Sequence, residues 1–574
     1  MRTGVPLASA VTVVSVLAGY AAGGGQQPAS VAADLVLLNG RIVTVEESPA
    51  RVEALAVGGN QIAAMGTTEA MKRYVGAKTQ VIDLRGRLVV PGFVEGHAHF
   101  TSIGLAKLNL DLTTARSWDE IVRMVAEAAK QANAGEWIYG RGWHQEKWDV
   151  KPSPSVEGFP THDSLSRASP ANPVFLTHAS GHASFANAKA MALSDITPGT
   201  PDPPGGDLLR DDQGQPTGLL RETASGLIRT GAGEPARTAA EETARATKIL
   251  ELASREVVSK GVTSFQDAGS SFEEVDLMKS MVDQKRIDVR LWIMLRAGNA
   301  DLAARMAKYR MVDYGDGFLT VRAIKRSIDG ALGSRGAWLL EPYADKPGDA
   351  GRNTTTVGEI RETARLAIEH GYQLCVHAIG DRANRETLNL FDESFTTVAG
   401  GGKPLRWRIE HAQHLHPADI PRFGALGVIA SMQGVHCTSD APFVPARLGA
   451  RRAEEGAYVW QKLMRSGAVV TNGTDAPVED VDPIASYYAT VNRRTKDRRV
   501  FYGGERMSRM EALRSYTING AYAAFEEATR GSLKPGKYAD MVVLSKDILT
   551  IPEEEIPSAR VDYTIVGGRI RYQR

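Results

Sequence analysis

From Ala33 to about Val90, apolar and polar positions alternate in short runs: ADLVLLNGRIVTV, RVEALAVGGNQIAAMG and TQVIDLRGRLVV, separated by NG, GG and polar turns. Strand-length alternation closed by turn residues predicts β-strands. Residues 531–574 repeat the character in GSLKPGKYADMVVLS and VDYTIVGGRIRYQR. Both ends of the chain are therefore β-rich, and the pattern predicts one small β-sandwich assembled from residues 33–90 and 531–574. A larger domain, residues 91–530, lies between them.

That larger domain alternates short apolar strands with amphipathic helical stretches, the sign of a parallel α/β fold. Eight candidate strands can be read: VVPGFVEGHAH, GVTSFQDAG, RLWIMLRAG, LTVRAIKRSID, YQLCVHAIGD, RWRIEHAQ, VIASMQGVH and AVVTNGTDAP. Helical segments such as EIRETARLAIEHG and DIPRFGALG fall between them. Eight strands with helical crossovers predict a distorted (β/α)8 barrel, whose active residues sit at the carboxyl ends of the strands. Roughly 160 residues separate the first two strands, far more than a loop and one helix require. The stretch at about 115–240 is read as an inserted subdomain over the barrel mouth. No repeat of fixed period is present.

Residues 1–30 differ from the rest. An early arginine, an apolar run from about Val5 to Ala22 and a small, polar stretch have the layout of a secretory signal peptide, with cleavage near Ala21 or Ala22. The protein is expected to be exported, periplasmic or secreted, and free of the membrane once the leader is removed; an uncleaved anchor is the alternative. With 68 basic and 67 acidic residues, the chain has no electrostatic footprint for nucleic acid or an anionic membrane. Cys375 and Cys437 are too few for a disulfide framework and are expected to be buried thiols, with one bridge as the alternative.

The candidate chemistry begins at His97-Ala98-His99. Residues two apart on a strand face the same way, so both imidazoles can enter one cavity. His377 ends the fifth strand, His411 the sixth and Asp475 the eighth. Such residues at successive strand ends call for a metal, and imidazole with carboxylate suits zinc best, with iron, manganese or nickel as substitutes. Lys325 stands near the end of the fourth strand, in phase with Val321 and Ala323. A lysine facing a barrel interior is costly unless paired or modified. A carbamate on its amine would bridge two metals; snorkelling to solvent or pairing with Asp329 are the alternatives.

The order HxH, fourth-strand Lys, fifth- and sixth-strand His and eighth-strand Asp resembles the amidohydrolase superfamily. The phrases PGFVEGHAHF, RGWHQEKW, GHASFANAKAM, TPDPPGG, DGALGSRGAWLLEPYAD, VHAIGDRAN, RIEHAQ, GTDAPVEDVDP and GSLKPGKYADMVVL are similar to its YtcJ-like branch, which includes N-substituted formamide deformylases. The resemblance implies a distorted barrel, a composite sandwich and a mono- or dinuclear centre. Carried over by position, it implies His97, His99 and Asp475 for a first metal. His377 and His411 would hold a second, with Lys325 carbamylated between the two. The chain departs from the family at His144, where Asp is frequent, which puts substrate preference in doubt. His414, three residues after His411, is an alternative ligand.

These residues suggest water activated by metal, with Asp475 taking and returning the proton. His182, in SGHAS, is the candidate for orienting a carbonyl. Trp143, His144 and Arg335 are candidate substrate contacts, with lid packing, and for Arg335 an ion pair with Asp329, as the structural alternatives. The expected reaction is hydrolysis of a carbon–nitrogen bond in a small amide or formamide. Deamination of a heterocycle by a single metal, or ligand binding without catalysis, are the competing readings. Assembly into a homo-oligomer is left open.

Overall fold

The computed structural model describes residues 32–46 and 52–574; the leader expected at residues 1–30 lies outside the described residues. Among the described residues, eight parallel strands follow one another around a ring in chain order. They are β1 (Phe93–Ala98), β2 (Val262–Ser270), β3 (Arg290–Leu295), β4 (Leu319–Ser327), β5 (Gln373–Ala378), β6 (Arg408–His411), β7 (Ile429–Gln433) and β8 (Val470–Gly473). Each falls on one of the runs expected from the sequence.

The crossover helices carry their own stop signals. Helix Val357–His370 begins at Thr356, whose side chain and that of Glu359 satisfy each other's backbone N–H groups, and ends at Gly371 with φ of 68°. A reciprocal cap and a left-handed glycine define both ends, and Ile360, Ala364 and Ala367 are buried.

The ring closes between β1 and β8 through side chains as well as backbone. Thr474 donates its backbone N–H (2.7 Å) and its hydroxyl (3.0 Å) to the buried Glu95 carboxylate. Asp475 N–H donates to His97 O and His99 N–H to Ala476 O, each at 2.8 Å. The two backbones approach closely enough to require glycine. A Cβ at Gly96 would lie 2.5 Å from Asn472 O, and one at Gly473 would lie 2.6 Å from His97 N. This closure sets His97, His99 and Asp475 beside one another.

Below the mouth the barrel is packed with Trp292, Met294, Ala323 and Cys375. Cys375 and Cys437 are both free and buried. Burial pushes the Cys437 thiol up to about 11 and Cys375 higher still, so neither is a ready nucleophile.

Between β1 and β2 the chain builds a six-stranded sheet. Its strands are Leu110–Asp111, Ile138–Trp143, Val174–His178, Ala183–Ala186, Gly206–Arg210 and Pro216–Glu222. It is clamped to the barrel loops by Arg447–Glu146 (2.6 Å), Lys346–Glu157 (3.1 Å) and Lys147–Glu479 (3.2 Å).

The ends of the chain meet in two further sheets, one containing Leu35–Leu38, Ala54–Gly58, Gln61–Gly66 and Gln80–Asp83, the other Leu88–Pro91 with Met541–Leu544, Val561–Val566 and Arg569–Gln573. Leu37, Leu55 and Val57 of the first pack with Val89, Met541 and Ile565 of the second in one core. Arg290 on β3 anchors this sandwich to the barrel through a buried two-point pair with Asp540, at 2.7 and 3.1 Å. No described helix is long and apolar enough to cross a membrane.

Candidate metal centre and its pocket

His97 on β1, His411 at the end of β6 and Asp475 just past β8 each direct a ligand atom to a common point, and these atoms lie within 4.8 Å of one another. Two of the three are held in backbone conformations that side chains seldom adopt: φ is 73° at His411 and 58° at Asp475. The positive φ at His411 has a consequence for facing. Strict alternation would send Glu410 and His411 to opposite sides of the sheet, yet both reach His97. Glu410 hydrogen-bonds its Nδ1, and the His411 ring lies 4.7 Å from its ring. Backbone strain at such positions concentrates at functional sites.

Three more expected ligands adjoin this trio. His99 Nε2 is 3.3 Å from Asp475 Oδ1. The His377 ring is 4.5 Å from that of His411. Lys325 on β4, 3% exposed, brings Nζ to 3.3 Å from His97 Nε2. The tightest convergence thus joins His97 and Asp475 with His411, whereas the resemblance groups His411 with His377. His414 lies outside the cluster: it is buried against Tyr458 at 5.5 Å, with neither ring nitrogen hydrogen-bonded.

The electrostatics of the cluster suit a cation. Burial, with Lys325 adding to it, lowers the His97 imidazole to about 4, and burial with neighbouring rings holds His377 and His411 well below their ordinary value. Neutral imidazole is the form that ligates. Burial alone would raise Asp475, but His99, His411 and His97 more than offset it and keep the carboxylate ionised. Burial also brings Lys325 down to about 8, so part of its amine is neutral near neutral pH. Two buried polar atoms, Asp475 Oδ1 and His377 Nε2, lack a well-directed hydrogen bond. Buried polar atoms without partners cost stability, and a divalent ion held by His97, His411 and Asp475 would satisfy Asp475 Oδ1. The donor set therefore fits a divalent metal ion.

Beneath the ligands lies a buried ion pair that sequence reading missed. Arg408 on β6 is fully buried and donates to Glu410 at 2.7 and 2.9 Å, to Gly96 O at 2.7 Å, to the Ser431 hydroxyl at 2.8 Å and to Gln266. Glu410 in turn holds His97 Nδ1, which leaves Nε2 facing the cluster. Burial would raise the Glu410 carboxyl, but Arg408 and His97 hold it well below the usual carboxylate range. A carboxylate behind a ligating histidine fixes its ring and tautomer. RWRIEH sets Arg408 and Glu410 two apart on one strand face, which signals their pairing but not the contact of Glu410 with His97. Gln433 does the same for His411, its amide oxygen accepting from Nδ1–H at 2.6 Å.

A pocket opens onto His377, His411 and Asp475 and is walled by His144, His182, His436 and Phe443. His182 Nδ1 is 2.7 Å from Glu222 Oε2, and its ring is 5.0 Å from that of His377. Burial would lower this imidazole, but Glu222 more than offsets it and holds it above its ordinary value. Glu222 is itself wedged between glycines: a Cβ at Gly330 or Gly336 would lie 2.0 Å from its Oε1. His436, on the segment after β7, brings Nε2 to 4.0 Å from Asp475 Oδ2.

Trp143 and Arg335 do not line this pocket. Trp143 is fully buried in the inserted subdomain, where its ring packs on His178 and its indole N–H donates to Leu176 O at 3.0 Å. Its apolar bulk fills a core next to the pocket wall. Arg335 pairs with Asp345 at 3.0 Å, and Asp345 also meets Arg447, so this arginine joins the clamp between barrel and insertion. Asp329 pairs with neither Arg335 nor Lys325. It accepts the backbone N–H groups of Trp338, Ile379 and Gly380 at 2.8–3.0 Å, while burial raises its carboxyl to about 7.

A family described as "Amidohydrolase family" matches residues 80–572. The chain is 32% identical to Protein LONG AFTER FAR-RED 3 of Arabidopsis thaliana, over 95% of its own length and 92% of the relative. It is 29% identical to a putative amidohydrolase YtcJ of Bacillus subtilis (93% and 98%) and 26% identical to N-substituted formamide deformylase of Arthrobacter pascens (94% and 98%). Among solved structures, an uncharacterized metal-dependent hydrolase from Pyrococcus horikoshii superposes with a TM-score of 0.72 at 25% identity, covering 91% of this chain and 99% of that one.

Proposed function

Because this chain belongs to the amidohydrolase family, we propose that it hydrolyses a carbon–nitrogen bond, of amide or formamide type, in a small substrate. The observation that carries this reading is the convergence of His97, His411 and Asp475 within 4.8 Å at the barrel mouth, under a pocket that opens onto His411 and Asp475. The formamide-cleaving relative supports the bond type.

His97, His99, His377, His411 and Asp475 would hold one or two divalent ions, zinc by donor chemistry, with Lys325 joining as a carbamate. Such an ion supplies Lewis acidity, which polarises a carbonyl and makes water nucleophilic near neutral pH. The carbamate forms when the neutral Lys325 amine adds to carbon dioxide and loses a proton, which leaves an anion beside His97 where a protonated lysine would place a cation. Asp475, ionised and facing the pocket, accepts the proton of the attacking water and returns it to the leaving nitrogen. His182, whose charged form Glu222 favours, donates to the substrate's carbonyl oxygen. His144, His436 and Phe443 shape the space around the scissile group and limit water.

The test is metal analysis of purified protein combined with a panel of small formamides, amides and cyclic amides. One to two equivalents of zinc are expected, with turnover abolished by a chelator, and Lys325→Ala should lower the metal count. Protein that binds no divalent metal and hydrolyses nothing in the panel would end the reading. A second result is expected at Glu222. In Glu222→Gln, kcat should fall by about tenfold to 100-fold while metal content stays constant, because the proton-donating form of His182 loses its support. Unchanged kcat would assign the pair to packing.

Export belongs to the same proposal and rests on residues 1–30. Amino-terminal sequencing of protein from fractionated cells, starting near Ala22, would support it.

A further inference from the structure

A groove on the protein surface adjoins the catalytic pocket, and Lys147 and Glu479 line both cavities. Its floor is the turn at 493–499, RRTKDRR. This turn is built, not loose. Arg493 is fully buried, donates to Phe501 O at 2.6 Å and Tyr458 O at 2.9 Å, and stacks over Trp460 at 4.5 Å. Thr495 and Arg499 close the turn through a backbone hydrogen bond of 2.9 Å.

The charges that line the groove are unbalanced. Lys147 is matched by Glu479, Arg499 by Asp497, and Glu146 by Arg447. Arg494, Lys496 and Arg498 on the turn and Arg116 opposite have no anionic partner among the described residues. Against these four cations stands one unpaired carboxylate, Glu554. The chain as a whole is nearly neutral, with 68 basic and 67 acidic residues, so the excess is local. Cations gathered on an anchored turn without counter-charges raise the local concentration of anions.

We propose that this groove receives an anionic group at the distal end of the substrate, with the scissile bond seated over the metal ligands. The assignment rests on the hydrolase reading and adds the substrate class: a small amide with a negatively charged tail. The shared lining sets the two cavities side by side, so a substrate tail that skirts the Lys147–Glu479 pair would reach the groove. Arg494, Lys496 and Arg498 thus act as specificity-determining residues.

The test uses the full-length, metal-loaded protein and N-formyl-ω-aminoalkanoates of increasing chain length, each compared with its methyl ester by calorimetry and by hydrolysis. Within one window of lengths the carboxylate should bind about tenfold more tightly than its ester, the scale of a few exposed ion pairs. That preference should shrink as sodium chloride is raised from low millimolar to half molar. In R494Q/K496Q/R498Q the carboxylate-to-ester ratio should approach one. In the charge-matched control K72Q/R73Q/K78Q, on the remote sandwich, it should persist. Equal binding of acid and ester at every length, or a salt-insensitive ratio in the parent protein, would overturn the proposal. So would a ratio that survives in the triple variant. A carboxylate preference in binding without any hydrolysis would instead count against the hydrolase reading alone, and hydrolysis without the preference against the groove alone.

Discussion

Protein carrying His97→Ala is expected to fold, to lose metal and to hydrolyse its substrate about 10³-fold more slowly or worse, the scale of removing a charge-stabilising group at a reacting centre. The expectation follows from where the ring stands. His97 stands beside every member of the cluster except His377: Asp475 at 3.6 Å, Lys325 at 3.3 Å, and the rings of His99 and His411 at 5.8 and 4.7 Å. Removing it takes away one donor and leaves Asp475, His411 and Lys325 without the group between them. Folding should survive because Glu410, which loses its hydrogen bond to His97, keeps the two-point bond from Arg408. The comparison that isolates the cause is His414→Ala. That histidine is as deeply buried and lies three residues beyond His411, but its nitrogens meet no ligand. His414→Ala should therefore keep both metal and rate. Elemental analysis with single-turnover assays reads both variants. Retention of metal by His97→Ala, or its loss in His414→Ala, would relocate the centre.

The barrel was legible because its strands are short apolar runs ending in polar residues, and that signal depends only on local order. The HxH pair was legible through alternation alone. Glu410 was not, because alternation places it opposite His411; only the left-handed backbone at His411 turns both toward His97. Trp143 illustrates the opposite failure. An aromatic in an inserted segment looks like a substrate contact, but its neighbour His144 faces the pocket while its own ring fills the subdomain core. Which of two adjacent residues faces a ligand is decided by how the inserted sheet docks, and no periodicity encodes that. Arg335 met the same limit: its partner Asp345 is ten residues away on an irregular loop. The long-range pair His182–Glu222, forty residues apart, required the hairpin registers of the insertion to bring it together. The groove charges were visible as RRTKDRR, yet their lack of partners was not.

Arg408→Met is expected to cost about 3–5 kcal/mol of stability at neutral pH, because removing one member of a buried pair leaves the other charge uncompensated. Arg408 and Glu410 are both 0% exposed, so water cannot substitute for the lost guanidinium. Four acceptors beyond the barrel's own ladder, namely Glu410, Gly96 O, Ser431 and Gln266, lose their donor together. Gly96 lies on the β1–β8 closure, so loosening should reach the metal ligands as well as the core. The pH dependence carries the diagnostic sign. In the parent protein Glu410 lies below its ordinary value, so its contribution is complete above the unfolded carboxylate range and is lost as the solution is acidified through and below that range. Without Arg408 the dominant influence on Glu410 is burial, which raises it. A raised carboxylate costs stability above its folded value and recovers it on protonation, so the variant should gain relative to the parent as the solution is acidified from neutral pH toward the unfolded carboxylate range. Adding Glu410→Gln to Arg408→Met should return much of the loss at neutral pH, since it removes the orphaned charge. Urea denaturation of the parent, both single variants and the double variant across that pH range measures each quantity. A cost below about 1 kcal/mol, or a gap that widens on acidification, would mean that water or a neighbouring cation reaches Glu410 and that the pair does not carry the closure.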